Sequence, residues 1–187
     1  MRLYHVSETP DIPVFHPRPP ARSDLDPTVS LVWAIEASRL SNFLTPRNCP
    51  RIGYHVAAQT TQSDRLRYFT DPAATHGLVI ESRWFEAMTR TVLYLYTFDS
   101  AGFELQDAAA GYYVARETQT PTGQIPIDNI FSALFACGAE LHVVQTLWHI
   151  ADAISHSTLD WSLCRMRNAL PRNPASFSGI GQQEAFP

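Results

Sequence analysis

The chain has 187 residues, of which 45% are hydrophobic and 17% charged, and a formal net charge of −4. Length and apolar content suit one packed domain and exclude a chain that is disordered over most of its length. The acidic balance argues against a general DNA-binding role, which shows a basic footprint.

In chain order, residues 2–6 read as a first strand. A proline-rich passage, PDIPVFHPRPPARSDLDP, follows as an ordered, extended loop, because proline fixes φ and removes a donor. LVWAIE (31–36) reads as a buried strand, SRLSNFL (38–44) as a short helix stopped by TPRNCPR (45–51), and IGYHVAA (52–58) as a strand. A helix over 60–69 has Ser63 or Asp64 as its cap. Strand 77–82 and helix 83–90 come next. TVLYLYTF (91–98) is the strongest strand: Val92, Tyr94, Tyr96 and Phe98 face one way, Leu93 and Leu95 the other.

GYYVARE (111–117) is a further strand. Asp128 caps a helix through Ile130, Phe131, Leu134 and Phe135 that ends near Gly138. Strand 141–145 and helix 146–156 follow. WSLCRMR (161–167) alternates as a last strand, with Arg165 and Arg167 on one face. The tail from Pro171 is polar and expected to be extended or partly disordered. Most connections are too short for regular parallel crossovers. The expected fold is therefore α+β: a single domain over 1–170, with one curved mixed or antiparallel sheet and short peripheral helices.

No apolar stretch approaches the roughly 20 residues needed to span a bilayer, and the first residues lack a signal-peptide apolar core. The cytoplasm is the expected compartment, with no membrane contact. The three cysteines, Cys49, Cys137 and Cys164, are widely spaced without a CxxC, so neither a disulfide framework nor a metal site is expected. There is no GxSxG elbow, no GxxxxGK[ST] loop and no GxGxxG.

Several groups still draw attention. His142, His149 and His156 recur every seven residues, but His142 falls on a strand, and a solvated polar face is the favoured reading over a metal stripe. Cys49 lies between Arg47 and Arg51, whose charges favour a thiolate; a buried, inert cysteine is the favoured alternative. All 14 basic residues are arginines, and Arg18, Arg47, Arg51 and Arg172 each follow a proline. Proline lowers the backbone entropy lost in presenting them, and guanidinium groups bind phosphate and stack on flat rings. Ion pairing with the 18 acidic residues is the competing use. His5 is either a satisfied core histidine or a ribose-orienting group. Glu117 is either a partner for Arg116 or a catalytic carboxylate.

The segments LYHVSE, VWAIE, PRNCPR, GYYVARE and RMRNA resemble those of an uncharacterised bacterial family, a domain of unknown function, to about Ala169. More distantly, the order of segments resembles the His-Tyr-Glu branch of the ADP-ribosyltransferase superfamily. LYHVS matches its first strand at His5. LVWAIEASRLSNF matches its second element, with Trp33 on the strand and Phe43 where the stacking Tyr stands. YYVARETQTPTGQIPIDNI matches its third, with Glu117 as the carboxylate. Val6 and Ser7 replace Gly-Thr, and Phe43 replaces Tyr.

The resemblance implies an ADP-ribosyltransferase-like fold and a nucleotide site, with NAD as the cofactor. His5 and Ser7 would hold the ribose, and Trp33 and Phe43 would flank the base. Arg18, Arg47 and Arg51 would take phosphate, and Glu117 would catalyse transfer of ADP-ribose or cleavage of NAD. The alternative is a non-enzymatic anion- or RNA-binding module that uses the arginine loops.

Overall fold

A computed structural model describes residues 1–19, 26, 28–108 and 110–172. The expected tail, beyond Pro171 and Arg172, lies outside these residues. Strands β1 (Arg2–Ser7), β2 (Val32–Ile35), β5 (Leu93–Asp99), β6 (Glu104–Asp107), β7 (Tyr112–Ala115) and β8 (Gly123–Ile127) form an antiparallel sheet in the order β6-β7-β2-β1-β5-β8. Strands β3 (Arg51–His55), β4 (His76–Glu81), β9 (Ala139–Val144) and β10 (Asp160–Cys164) form a second sheet in the order β10-β3-β4-β9. That sheet is mixed, because β4 and β9 run parallel while its other pairs are antiparallel. The α+β class is as expected, but the one curved sheet is two sheets.

The reason for two sheets is burial on both faces. Leu44, Cys49, Leu78, Ile80, Met88, Leu93, Ile130 and Leu134 form a core between the sheets, joined by Val6 from β1. A second core lies on the far face of the four-stranded sheet: Ile52, Tyr54, Phe69, Val79, Leu147, Ala151 and Ile154. It is covered by helices α1 (Gln62–Tyr68) and α4 (Trp148–Ile154). The third covers the outer face of the six-stranded sheet, where Leu3, Ala34, Tyr96 and Phe98 pack beneath Ile12, Phe15 and Phe103. Tyr96 and Phe98 thus face one way on β5 and Leu93 the other, as the alternation predicts.

The first part of the proline-rich segment, through Phe15, closes that outer face, and its residues 20–25 and 27 lie outside the described residues. Phe15 stacks edge-on against Tyr96 and Phe98, at 5.0 and 5.1 Å between centroids. The Tyr96 hydroxyl donates to the Thr9 carbonyl (2.8 Å) and accepts the Ile12 N–H (3.0 Å).

The short helix expected over 38–44 forms, as a 3-10 helix over Ala37–Phe43. Other local expectations are corrected. Helix α1 is capped by Thr61, whose hydroxyl accepts the Asp64 N–H (3.2 Å), and not by Ser63 or Asp64. Helix α3 (Ile130–Ala136) is capped by Asn129, one residue after Asp128. Gly138 ends it at φ 67°, the left-handed conformation that glycine adopts without strain. The last strand stops at Cys164. Arg165 turns into left-handed backbone at φ 56°, and Met166–Asn168 form a 3-10 turn, so Arg165 and Arg167 do not share a strand face. Among the described residues no helix is long and apolar enough to cross a membrane.

Candidate functional site

The turn TPRNCPR sits at one end of the seam between the sheets. The Cys49 N–H donates to the Pro46 carbonyl (2.9 Å), and the Arg47 N–H donates to Oε1 of Glu8, just past β1 (2.7 Å). Arg51 braces the turn from within. It is buried, with Nε donating to the Asn42 carbonyl (2.5 Å) and Nη1 to the Cys49 carbonyl (3.1 Å). Two of its donors are therefore spent on backbone, so its phosphate-binding capacity is smaller than its sequence position implies. Gly53 makes room beside it, because a Cβ there would collide with the Asn42 carboxamide.

The segment RMRN packs onto this turn. Nδ2 of Asn168 donates to the Asn48 carbonyl (2.8 Å). Glu81, fully buried at the end of β4, pairs with Nε of Arg83 (2.8 Å) and accepts the Leu170 N–H (2.9 Å). Arg83 also donates to the Asn168 carbonyl. These contacts bring Arg165 and Arg167 beside Arg47 and Arg51. Burial lowers the pKa of the Arg165 guanidinium first, and the charges of Arg167, Arg51 and Arg47 lower it further. The ion pairs among the described residues include none of these four arginines. A group of like charges held together without ion pairs costs free energy, and an anion offsets that cost.

Aromatic rings adjoin the cluster. The Arg51 guanidinium lies over the Phe43 ring, 5.5 Å from its centroid. Phe43 meets Tyr112 at 5.8 Å, and Tyr112 meets Trp33 at 5.5 Å, both edge-on. Tyr112 opposes Ile35, which opposes Tyr4, so Trp33 and Tyr112 share the sheet face that carries Tyr4 and Val6. Trp33, Phe43, Arg47 and Arg51 are thus brought to one region.

His5 lies on the other face of the same strand. Its Nδ1 donates to the Trp33 carbonyl (2.9 Å), and its ring sits edge-on to Phe15 (4.9 Å). Burial lowers its pKa, and the charges of Arg18 and Arg47 add to the effect, so the ring is neutral near pH 7. The hydroxyl of Ser7 accepts the Thr9 N–H (3.0 Å). Exposed Arg18 pairs its backbone with Leu31. Glu117 is exposed past the end of β7, on the turn where Gln119 pairs with Phe15. His5 and Phe43 therefore stand on opposite sides of the six-stranded sheet. Cys49 is buried, and its pKa is raised to about 12, burial being the main cause, which leaves an inert thiol. Arg172 is paired with Asp152 and stacked on Trp148 at 5.0 Å.

Tyr112, Glu81 and the left-handed Arg165 escape a reading of the sequence. Alternation along GYYVARE carries a signal for Tyr112, since it shares a face with Val114 opposite Trp33. The backbone turn at Arg165 has no such signal.

These features define a two-sheet α+β domain that gathers four arginines and aromatic rings at one end of the seam between its sheets. The chain belongs to the family of unknown function DUF6886, whose model matches residues 4–169. That span holds the whole arginine cluster and agrees with the likeness that the sequence segments carry. No curated protein and no solved structure matches the chain. Nothing in these comparisons links it to ADP-ribosyltransferases.

Proposed function

We propose that this chain binds a phosphate-bearing nucleotide at the end of the inter-sheet seam. Arg47, Arg165 and Arg167 contact the phosphates, Arg51 adds charge from below, and the Trp33–Tyr112–Phe43 group lies beside the base. The observation that carries this reading is the meeting of two distant segments, PRNCPR and RMRN, whose arginines have no ion-pair partner among the described residues. Guanidinium groups suit phosphate, and rings suit a base. The diphosphate of NAD or ADP-ribose is the first ligand to try.

Transfer of ADP-ribose, or cleavage of NAD, asks more than binding. It needs His5 and Glu117 at the same ligand, and the sheet lies between His5 and Phe43. The proposal is therefore a binding function, with Glu117 outside it. Titration of NAD, ADP-ribose and ATP by calorimetry tests it, with a single-stranded RNA oligonucleotide alongside. Arg165→Gln/Arg167→Gln should weaken binding at least about tenfold, and Glu117→Ala should leave it unchanged. Absence of binding to all four ligands at millimolar concentration would overturn the reading. Nicotinamide release that depends on Glu117 would restore the enzyme in its place.

A further inference from the structure

His142, His149 and His156 are seven residues apart in sequence, yet the fold separates them. His142 is on β9 and His149 on α4, while His156 follows α4 and its Nδ1 bonds back to the Asp152 carbonyl (2.9 Å). The first two meet again across a cavity of about 200 Å³ on the far face of the four-stranded sheet, away from the arginine seam. Arg67 and Tyr68 of α1 line its rim and wall. Val79, Ile150 and Ala153 supply an apolar floor.

The polar lining offers donors in the Arg67 guanidinium, the Tyr68 hydroxyl and an imidazole N–H of His149. The Tyr68 hydroxyl is shielded from solvent and has no hydrogen-bond partner, which costs free energy unless something occupies it. Burial raises the Tyr68 pKa, so that hydroxyl keeps its proton. Arg67 stacks on the Tyr68 ring (5.4 Å) and belongs to no ion pair among the described residues. The neighbouring carboxylate, Glu140, is already engaged: it accepts from His142 Nε2 (3.0 Å) and from the Thr70 (3.1 Å) and Asp71 N–H groups. Tyr54 closes the wall, its hydroxyl spent on the Tyr68 carbonyl (2.8 Å).

We infer that this cavity binds a small organic monocarboxylate, with its carboxylate on Arg67, the Tyr68 hydroxyl and His149, and its short apolar body on Val79, Ile150 and Ala153. One permanent cation matches one negative charge, and a phosphate dianion would leave a charge unmatched. The volume lies below the roughly 300 Å³ at which drug-sized sites begin, so the ligand is small. The inference is independent of the arginine seam, because the two sites share no residue.

The test is a titration of the full chain with benzoate at constant ionic strength, followed by imidazole proton signals in NMR. Benzamide, the neutral analogue, and inorganic phosphate are the controls. Benzoate should move the His142 and His149 signals in the millimolar range and leave those of His55 and His76 in place. Arg67→Gln should weaken the effect at least about tenfold, and Tyr68→Phe, which keeps the ring and so the packing, about threefold or more. Equal effects from benzamide, a preference for phosphate, or a response unchanged in both variants would overturn the assignment. A nucleotide that binds at the seam should not move these signals.

Discussion

The two faces of the six-stranded sheet handle their polar groups in opposite ways. On the outer face Tyr96 is bonded to the segment carrying Phe15, and the ring of His5 packs on Phe15 and bonds the Trp33 carbonyl. At the end of the inner face, Arg47, Arg165 and Arg167 belong to no ion pair among the described residues. Both faces hold residues that look functional in sequence. Among the described residues the second gathers arginines without an ion-pair partner, and the proposed nucleotide would supply one.

The largest expected effect comes from removing what holds the cluster. Glu81→Ala leaves Arg83 without its carboxylate partner and the Leu170 N–H without an acceptor, and should cost about 4 kcal/mol in chemical denaturation. A cost below about 1 kcal/mol would mean that the 165–170 segment is held by other contacts. Phe15→Ala should cost about 3 kcal/mol by opening the outer face, while nucleotide binding stays unchanged. Loss of binding in that variant would join the two faces into one site.

Acid comes next. His55 and His76 stack at 5.8 Å between the sheets, and Asp160 Oδ2 lies 3.2 Å from Nε2 of His55 but off the line of a hydrogen bond. Burial holds the pKa of His55 down to about 4, with the Arg39 charge adding to it and Asp160 opposing it. The folded state thus favours the neutral ring, while the unfolded chain takes up the proton near pH 6.5. Stability is full above that value and falls as pH drops toward about 4, by roughly 2 kcal/mol at about pH 5. His55→Gln should flatten the slope, measured by denaturation across that range.

The smallest effect is the most diagnostic for the cluster. Arg165 occupies left-handed backbone, which costs a non-glycine residue about 1 kcal/mol. Arg165→Gly should raise stability by up to about 1 kcal/mol and still weaken anion binding. Arg165→Gln should weaken binding without that gain, because it keeps the strain. A residue that serves folding alone would lose stability in both.

Strand alternation made most of the fold legible. The pattern of LYLYTF predicts which side chains enter which core, and the family segments extend to the end of the packed domain. Strand β6 gives no such signal, because Glu104–Asp107 is exposed throughout at a sheet edge. Strand β8 is hidden by Pro126, which the opposite edge tolerates because no outer neighbour needs its N–H. The proposed site was legible in part. PRNCPR and RMRNA are visible as arginine-rich segments, but their meeting depends on Asn168, Glu81 and a left-handed turn that no local pattern encodes. The grouping of His5 with Phe43 fails on a single step of strand periodicity, since neighbours on β1 face opposite sides.

The most direct measurement is the affinity of ADP-ribose for the wild-type chain and for Arg165→Gln/Arg167→Gln, read by calorimetry at two salt concentrations. Binding that weakens with salt in the wild type, and by at least about tenfold in the variant without loss of thermal stability, is the predicted result. Equal affinity in both proteins, or no binding in either, would contradict a nucleotide site at the arginine seam.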